Sequence, residues 1–234
     1  MPRYQKIYEE QAPLYEELVS KEDFQCNILQ TLSRIRPFSG LQVIEFGAGT
    51  GRLTALIAPY AKEVLAFDAF PMMLEFAERK FRRAGIKNVS FAQAENKKLP
   101  VETGAFDLSI AGWTFGHCTS WHGENWKTEI SSAVSEMLRV LRDDGTAIIL
   151  ETLGTGQVDP VPPSQKLADY YDFLEKDFGF SRVCIRTDYR FESLASAQRL
   201  TSTFFGRNYD FQVDSSGAVF LPECTGIWHR RAAI

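Results

Sequence analysis

The residues best able to do chemistry cluster near position 50. Gly47, Gly49 and Gly51 alternate after an acid, Glu45, and Arg52 follows directly. Alternating glycines let a backbone turn tightly against a ligand, while the N–H groups of the next helix point at it. A dinucleotide loop needs its third glycine where Arg52 stands. A carboxylate at position 45 suits a ligand with a cationic amino group and would repel a diphosphate. A second acid, Asp68, ends an apolar run, Glu63 to Asp68. At a strand tip it can accept hydrogen bonds from both hydroxyls of a ribose, or cap the helix from Pro71 onward; the distance from the glycines favours the ribose. Met73 starts that helix and suits either an adenine face or core packing. His117, in WTFGHCTSWHGENWK, is the best-placed general base, and as a loop histidine it equally suits a hydrogen-bonding role. Trp113 and His117 are expected in a small-molecule pocket; Trp121 and Trp126 fit either the pocket or the edge of the core.

These side chains need elements to hold them. The apolar run from Leu41 to Phe46 predicts a strand, and Arg52 to Tyr60 a helix. Further strands are expected over 88–92, 105–111, 146–150, 181–187 and 219–228. Helices are expected over 4–36 with a break or start at Pro13, from Pro71, and over 126–142, 167–178 and 193–205. Arg142 to Gly145 reads as a turn and Gly154 to Pro163 as a loop. Strand and helix alternate behind an N-terminal helical cap. That order predicts a Rossmann-like open α/β sheet of about seven mostly parallel strands, helices on both faces, and ligand contacts beyond the strands' carboxyl ends. The Tyr/Phe-rich segment 189–212 fits a second substrate wall or core.

The 234 residues fit one domain, 1–234: a helical cap over 1–40, a ligand-binding core over 41–152 and a C-terminal part over 153–234. Hydrophobic residues at 44% and charged residues at 24% are ordinary for a globular chain. A net charge of −4 gives no footprint for nucleic acid or an anionic membrane. No apolar run approaches the roughly 20 residues of a membrane span, and the N-terminus has no signal-peptide core. Cys26, Cys118, Cys184 and Cys224 are scattered and read as reduced thiols of a cytoplasmic protein. His117, Cys118 and His122 lack further ligands, so no metal is expected. Oligomeric state is not assigned.

Taken together, the acid with GxGxG, Asp68, the Gln93-Ala94 strand end, FDLSIA and RVLRDDG resemble, in that order, the class I S-adenosylmethionine-dependent methyltransferases over roughly residues 41–152. The resemblance implies S-adenosyl-L-methionine as cofactor and an antiparallel last strand. It implies cofactor contacts at Glu45, Gly47, Gly49, Gly51, Asp68 with Ala69, and Met73. At the third strand end the implied contacts are Gln93 (where the family often has an acid), Ala94 and Glu95. Past the fourth strand they are Ala111 and Trp113. The segment Tyr8, Ala12, Tyr15 resembles the family's YxxxAxxY element, which closes over the cofactor, and adds Tyr15. The Asn/Asp-Pro-Pro-aromatic tetrad, the Pro-Cys pair and the strand-end aspartate of magnesium-dependent catechol enzymes are all missing. The expected reaction is therefore metal-free methyl transfer to O or N of a small molecule. A binding module without catalysis, or a nicotinamide-dependent oxidoreductase, is the alternative; Glu45 and Arg52 oppose the latter.

Overall fold

The computed structural model describes residues 3–232; the outermost two residues at each end of the expected domain lie outside it. The helices are α1 (Arg3–Glu10), α2 (Ala12–Val19), α3 (Asn27–Ile35), α4 (Arg52–Ile57), α5 (Pro71–Arg83), α6 (Cys118–Trp121), α7 (Trp126–Arg139), α8 (Gln165–Lys176) and α9 (Leu194–Phe205). The strands are β1 (Gln42–Phe46), β2 (Glu63–Asp68), β3 (Val89–Gln93), β4 (Phe106–Gly112), β5 (Leu141–Thr155), β6 (Ser181–Arg186), β7 (Tyr189–Phe191), β8 (Gln212–Val213), β9 (Val219–Leu221) and β10 (Glu223–Arg231).

Seven strands form one sheet in the order β3-β2-β1-β4-β5-β10-β6. Only β10 runs against its neighbours, pairing antiparallel with β5 and β6. Side chains alternate between two faces along each strand. Ile44, Phe46, Ala147 and Ile149 meet Ile130, Val134 and Met137 of α7 and Tyr170 and Leu174 of α8. Val43, Leu108, Ile110, Ile148 and Leu150 meet Ile28 and Leu32 of α3 and Leu53 and Ile57 of α4. Both faces are covered, so the strands are apolar runs rather than alternating ones. After β1 the chain builds β2 and β3 on one side, then crosses to β4 on the other. Ligand sites of open α/β sheets form at such a switch point.

Three expectations are corrected. The last strand does not run unbroken from Val219 to Trp228. Pro222 offers no N–H to a ladder, and the chain divides there: β9 joins β7 and β8 in a separate three-stranded sheet, while β10 enters the main one. That small sheet packs with α1, α2 and α9 through Ile7, Leu18, Phe191, Leu200, Phe204 and Leu221. Residues 142–145 are an irregularity inside β5, where the register moves from Phe106↔Leu141 to Leu108↔Thr146. The stretch 113–127, expected as a loop, is largely short helical turns: a 3-10 turn Phe115–His117, then α6, then a second 3-10 turn Gly123–Asn125 leading into α7. Among the described residues no helix is long and apolar enough to cross a membrane.

Candidate active site

The turn between β1 and α4 has Gly47 at φ 69°, Gly49 at φ 55° and Gly51 at φ 77°. A side chain is strained in that region. Space is also closed at two of them: a Cβ on Gly47 would overlap Thr114 Oγ1, and one on Gly51 would stand 2.6 Å from the Phe81 ring. Gly49 instead faces Tyr15 and the Met73 methyl, 3.6 and 3.8 Å from where its Cβ would be. Asp68, at the tip of β2, pins the turn. Its Oδ2 accepts from the Gly49 N–H at 2.7 Å and its Oδ1 from the Phe70 N–H at 2.8 Å. Burial holds the carboxyl above its usual range, against the lowering effect of those bonds. Each oxygen keeps a second lone pair. Gly47, Gly49, Asp68, Tyr15 and Met73 border a cavity of about 300 Å³, with Ala69, Phe70, Glu95, Asn96, Trp113, Thr114, His117 and Trp121 among its walls.

A larger cavity, about 650 Å³, adjoins it. Tyr8, Tyr15, Trp113 and His117 line both. Trp113 follows β4 directly and is held at φ 50°, a costly angle for a bulky residue. The Arg52 guanidinium lies 4.0 Å from the centre of its ring and reaches Glu22 at 2.9 Å. His117 is sandwiched: its ring stacks on Trp121 at 4.8 Å and its Nε2 lies 3.0 Å from the Tyr8 hydroxyl. Burial pushes its pKa down to about 4, although a hydrogen bond with the Trp113 backbone works the other way. The imidazole is therefore neutral at pH 7. The larger cavity is also lined by Glu151 of β5 and Glu223 of β10, with Tyr189, Phe204 and Tyr209. Burial pushes Glu151 up to about 8, although its Oε1 accepts from the Gly116 N–H at 2.8 Å.

A methyltransferase-domain family model matches residues 44–149, from the middle of β1 into β5. The ubiquinone/menaquinone biosynthesis C-methyltransferase UbiE of Ectopseudomonas mendocina is 30% identical over 190 residues, 74% of this chain and 68% of that protein. The chain belongs to the class I S-adenosylmethionine-dependent methyltransferases. An uncharacterized methyltransferase, YcgJ of Bacillus subtilis, is 28% identical over 47% of this chain; the match spans only 40% of YcgJ. A SAM-dependent methyltransferase from Aquifex aeolicus shares the fold, with a TM-score of 0.59, 17% identity and 98% of each chain covered. Membership makes S-adenosyl-L-methionine the cofactor.

Of the residues expected at this methyltransferase's site, Tyr15, Gly47, Gly49, Asp68, Ala69, Met73, Glu95, Trp113 and His117 border the smaller cavity. Five stand elsewhere. Glu45 shares the Val43 side of β1 and points under the turn toward α4, where Thr54 Oγ1 donates to it at 2.5 Å and burial raises its pKa to about 8. Gly51 packs on Phe81. Gln93 lies at the surface, its Nε2 donating to the Ala69 carbonyl at 3.1 Å. Ala94 donates its N–H to the Asp68 carbonyl, and Ala111 is fully buried between Phe46 and Ile149. Tyr8, named only as part of the YxxxAxxY-like segment, also borders both cavities; Phe70, Asn96 and Thr114 were not expected on these walls, nor were Glu22, Glu151 and Glu223 on the larger one. Two of these acids carry a usable signal: Glu151 directly follows the apolar run AIIL and Glu223 follows VFLP. Trp126 packs edge-on to Phe173, away from both cavities. Among the described residues no three His, Cys, Asp or Glu side chains gather to hold a metal ion.

Proposed function

We propose that this protein transfers a methyl group to O or N of a small organic molecule, and that residues 1–234 form one methyltransferase domain. The observation that carries this reading is the shared wall: Tyr8, Tyr15, Trp113 and His117 border both cavities. The smaller cavity fits the cofactor. Gly47 and Gly49 leave bare backbone for it to lie on, Asp68 has lone pairs free for ribose hydroxyls, and Met73 and Phe70 offer apolar surface to adenine. The larger cavity fits the acceptor, whose reacting atom would meet the methyl group at the aromatic wall. When bound, the cofactor supplies an electrophilic methyl on a sulfonium for in-line displacement. The chain's own residues position the acceptor and exclude water. Tyr8 and Tyr15, on α1 and α2, close the shared site from the N-terminal side, and Trp113 sets its floor at the end of β4.

His117 belongs to the wall in this reading. A group titrating near 4 has little capacity to accept a proton at pH 7, and its Nε2 is already engaged by Tyr8. UbiE is described as a C-methyltransferase of quinone biosynthesis, which favours a small organic acceptor; the paired cavities favour one too. The test is incubation with labelled cofactor and a pool of small metabolites, alongside calorimetry with S-adenosylhomocysteine and NAD. Labelled small product and binding of S-adenosylhomocysteine alone are expected. Label appearing only in RNA or protein would overturn the acceptor assignment.

A further inference from the structure

The larger cavity is lined by three buried carboxyl groups, two of which keep an oxygen without a hydrogen-bond partner. Glu223 is 2% exposed; its Oε1 accepts from Thr152 Oγ1 at 2.6 Å and its Oε2 has no hydrogen-bond partner. The Glu22 side chain is 4% exposed; its Oε2 takes Arg52, and its Oε1 is equally without a hydrogen-bond partner. Glu151 lies on the same cavity. A buried acid without a counter-charge is costly, and burial, with the neighbouring Glu22 charge, pushes the Glu223 carboxyl up. Two cations border the cavity, and neither pairs directly with Glu223, although the Arg52 charge offsets part of its upward shift. Arg52 is committed to Glu22 and to the Trp113 face. Arg207 is exposed, donates to the Thr155 carbonyl at 3.3 Å and lies over Tyr209. Aromatic rings complete the lining: Tyr8, Tyr15, Tyr189, Phe204 and Tyr209. Carboxylates set among aromatic faces are how proteins hold an ammonium group, by charge-assisted hydrogen bonds and cation–π attraction together.

We propose that this cavity selects acceptors bearing a protonated amino group, seated against Glu223 and Glu22 and surrounded by the aromatic rings. The ammonium is an anchor: it orients the acceptor so that another part of the molecule reaches the wall shared with the cofactor cavity. This assignment rests on reading the larger cavity as the acceptor site. It would make the protein choose among small molecules by charge as well as by shape, because a neutral or anionic analogue would leave the buried carboxylates unmatched.

The test uses the full chain and three matched probes: 2-phenylethylamine, 2-phenylethanol and phenylacetate, each titrated by calorimetry with and without saturating S-adenosylhomocysteine. The amine is expected to bind at least about tenfold more tightly than the other two, the modest end of what a hydrogen bond to a charged group supplies. Glu223→Gln keeps size and the Thr152 partner, and is expected to shrink that preference to within about threefold while S-adenosylhomocysteine affinity stays unchanged. Equal or tighter binding of the alcohol or the carboxylate overturns the proposal. So does failure of all three probes to bind, or an amine preference that survives in Glu223→Gln. The S-adenosylhomocysteine titration separates the two readings. Its failure removes the methyltransferase assignment, whereas amine selectivity is still read from the unliganded protein.

Discussion

The Tyr8 hydroxyl lies 3.0 Å from His117 Nε2, joining α1 to the turn that follows β4. Both residues line both cavities, so the contact ties the N-terminal helices to the sheet at their shared wall. Burial keeps His117 neutral, which leaves Nε2 able to accept the Tyr8 hydroxyl when Nδ1 carries the ring proton. Tyr8→Phe should therefore raise the KM for the acceptor while kcat changes less than about threefold. His117→Ala should lower kcat by less than about tenfold across pH 6–9, short of the 10²–10⁴ loss of a general base. A larger loss that shrinks at high pH would return His117 to the catalytic role.

Asp68 has a structural duty besides its proposed ribose contact, because it accepts the N–H groups of both Gly49 and Phe70. Asp68→Ala leaves two backbone donors without their acceptor. Unliganded stability should fall by about 1–3 kcal/mol, and cofactor affinity by at least about tenfold. Urea denaturation and calorimetry read the two separately. Full stability with weakened binding would mean the turn holds its shape without this carboxylate.

Gly47 combines a positive φ with the close approach of Thr114. Gly47→Ala should cost about 1–3 kcal/mol through strain and overlap, with loss of cofactor binding. Adding Thr114→Gly removes the overlap but not the φ penalty, so it should restore part of the stability, and circular dichroism melts can follow both steps. No recovery in the double variant would show that backbone strain alone sets the cost.

The folded pKa of Glu151, near 8, lies above its unfolded value. Between those two values the folded state holds a proton that the unfolded state has released, so this group makes stability fall as pH rises, until the folded pKa is passed. Glu151→Gln removes the titration while an amide oxygen can still accept the Gly116 N–H. The variant should gain on the parent as pH rises from about 5 to 8, by up to about 1.4 kcal/mol per pH unit, then keep a constant difference above that range. Parallel urea titrations at pH 5.5, 7 and 8.5 measure it. A difference independent of pH would mean Glu151 is ionised in the folded protein.

Much of this molecule is written locally in its chain. The β1–turn–α4 unit follows from an apolar run and three alternating glycines, and each of those glycines takes a left-handed angle. Asp68 stands at the tip of β2 because the run from Glu63 ends there. The mostly parallel sheet is legible because parallel neighbours need helical crossovers, and the crossovers show a 3.6-residue apolar period; the strand order came only with the structure. Glu45 shows where local reading stops. Its spacing to the glycines matches a ligand contact, yet strand alternation turns its side chain under the turn to Thr54. The single strand expected over 219–228 failed at Pro222 for a related reason, since a proline forbids a ladder bond without saying which sheet receives each half.

The segment 189–212 was legible as a possible wall, and Tyr189, Phe204 and Tyr209 do line the larger cavity, but its acid-bearing side was decided by the tertiary structure. Tyr8, Glu22, Glu151 and Glu223 come from α1, the segment after α2, β5 and β10, and no spacing in the sequence links them. They meet because the cap packs on the small sheet while β10 inserts between β5 and β6. Motifs record residues that a single turn of backbone holds together. A cavity made from four distant segments leaves in the sequence only isolated acids beside apolar runs, and their cost becomes visible once packing has removed the water around them.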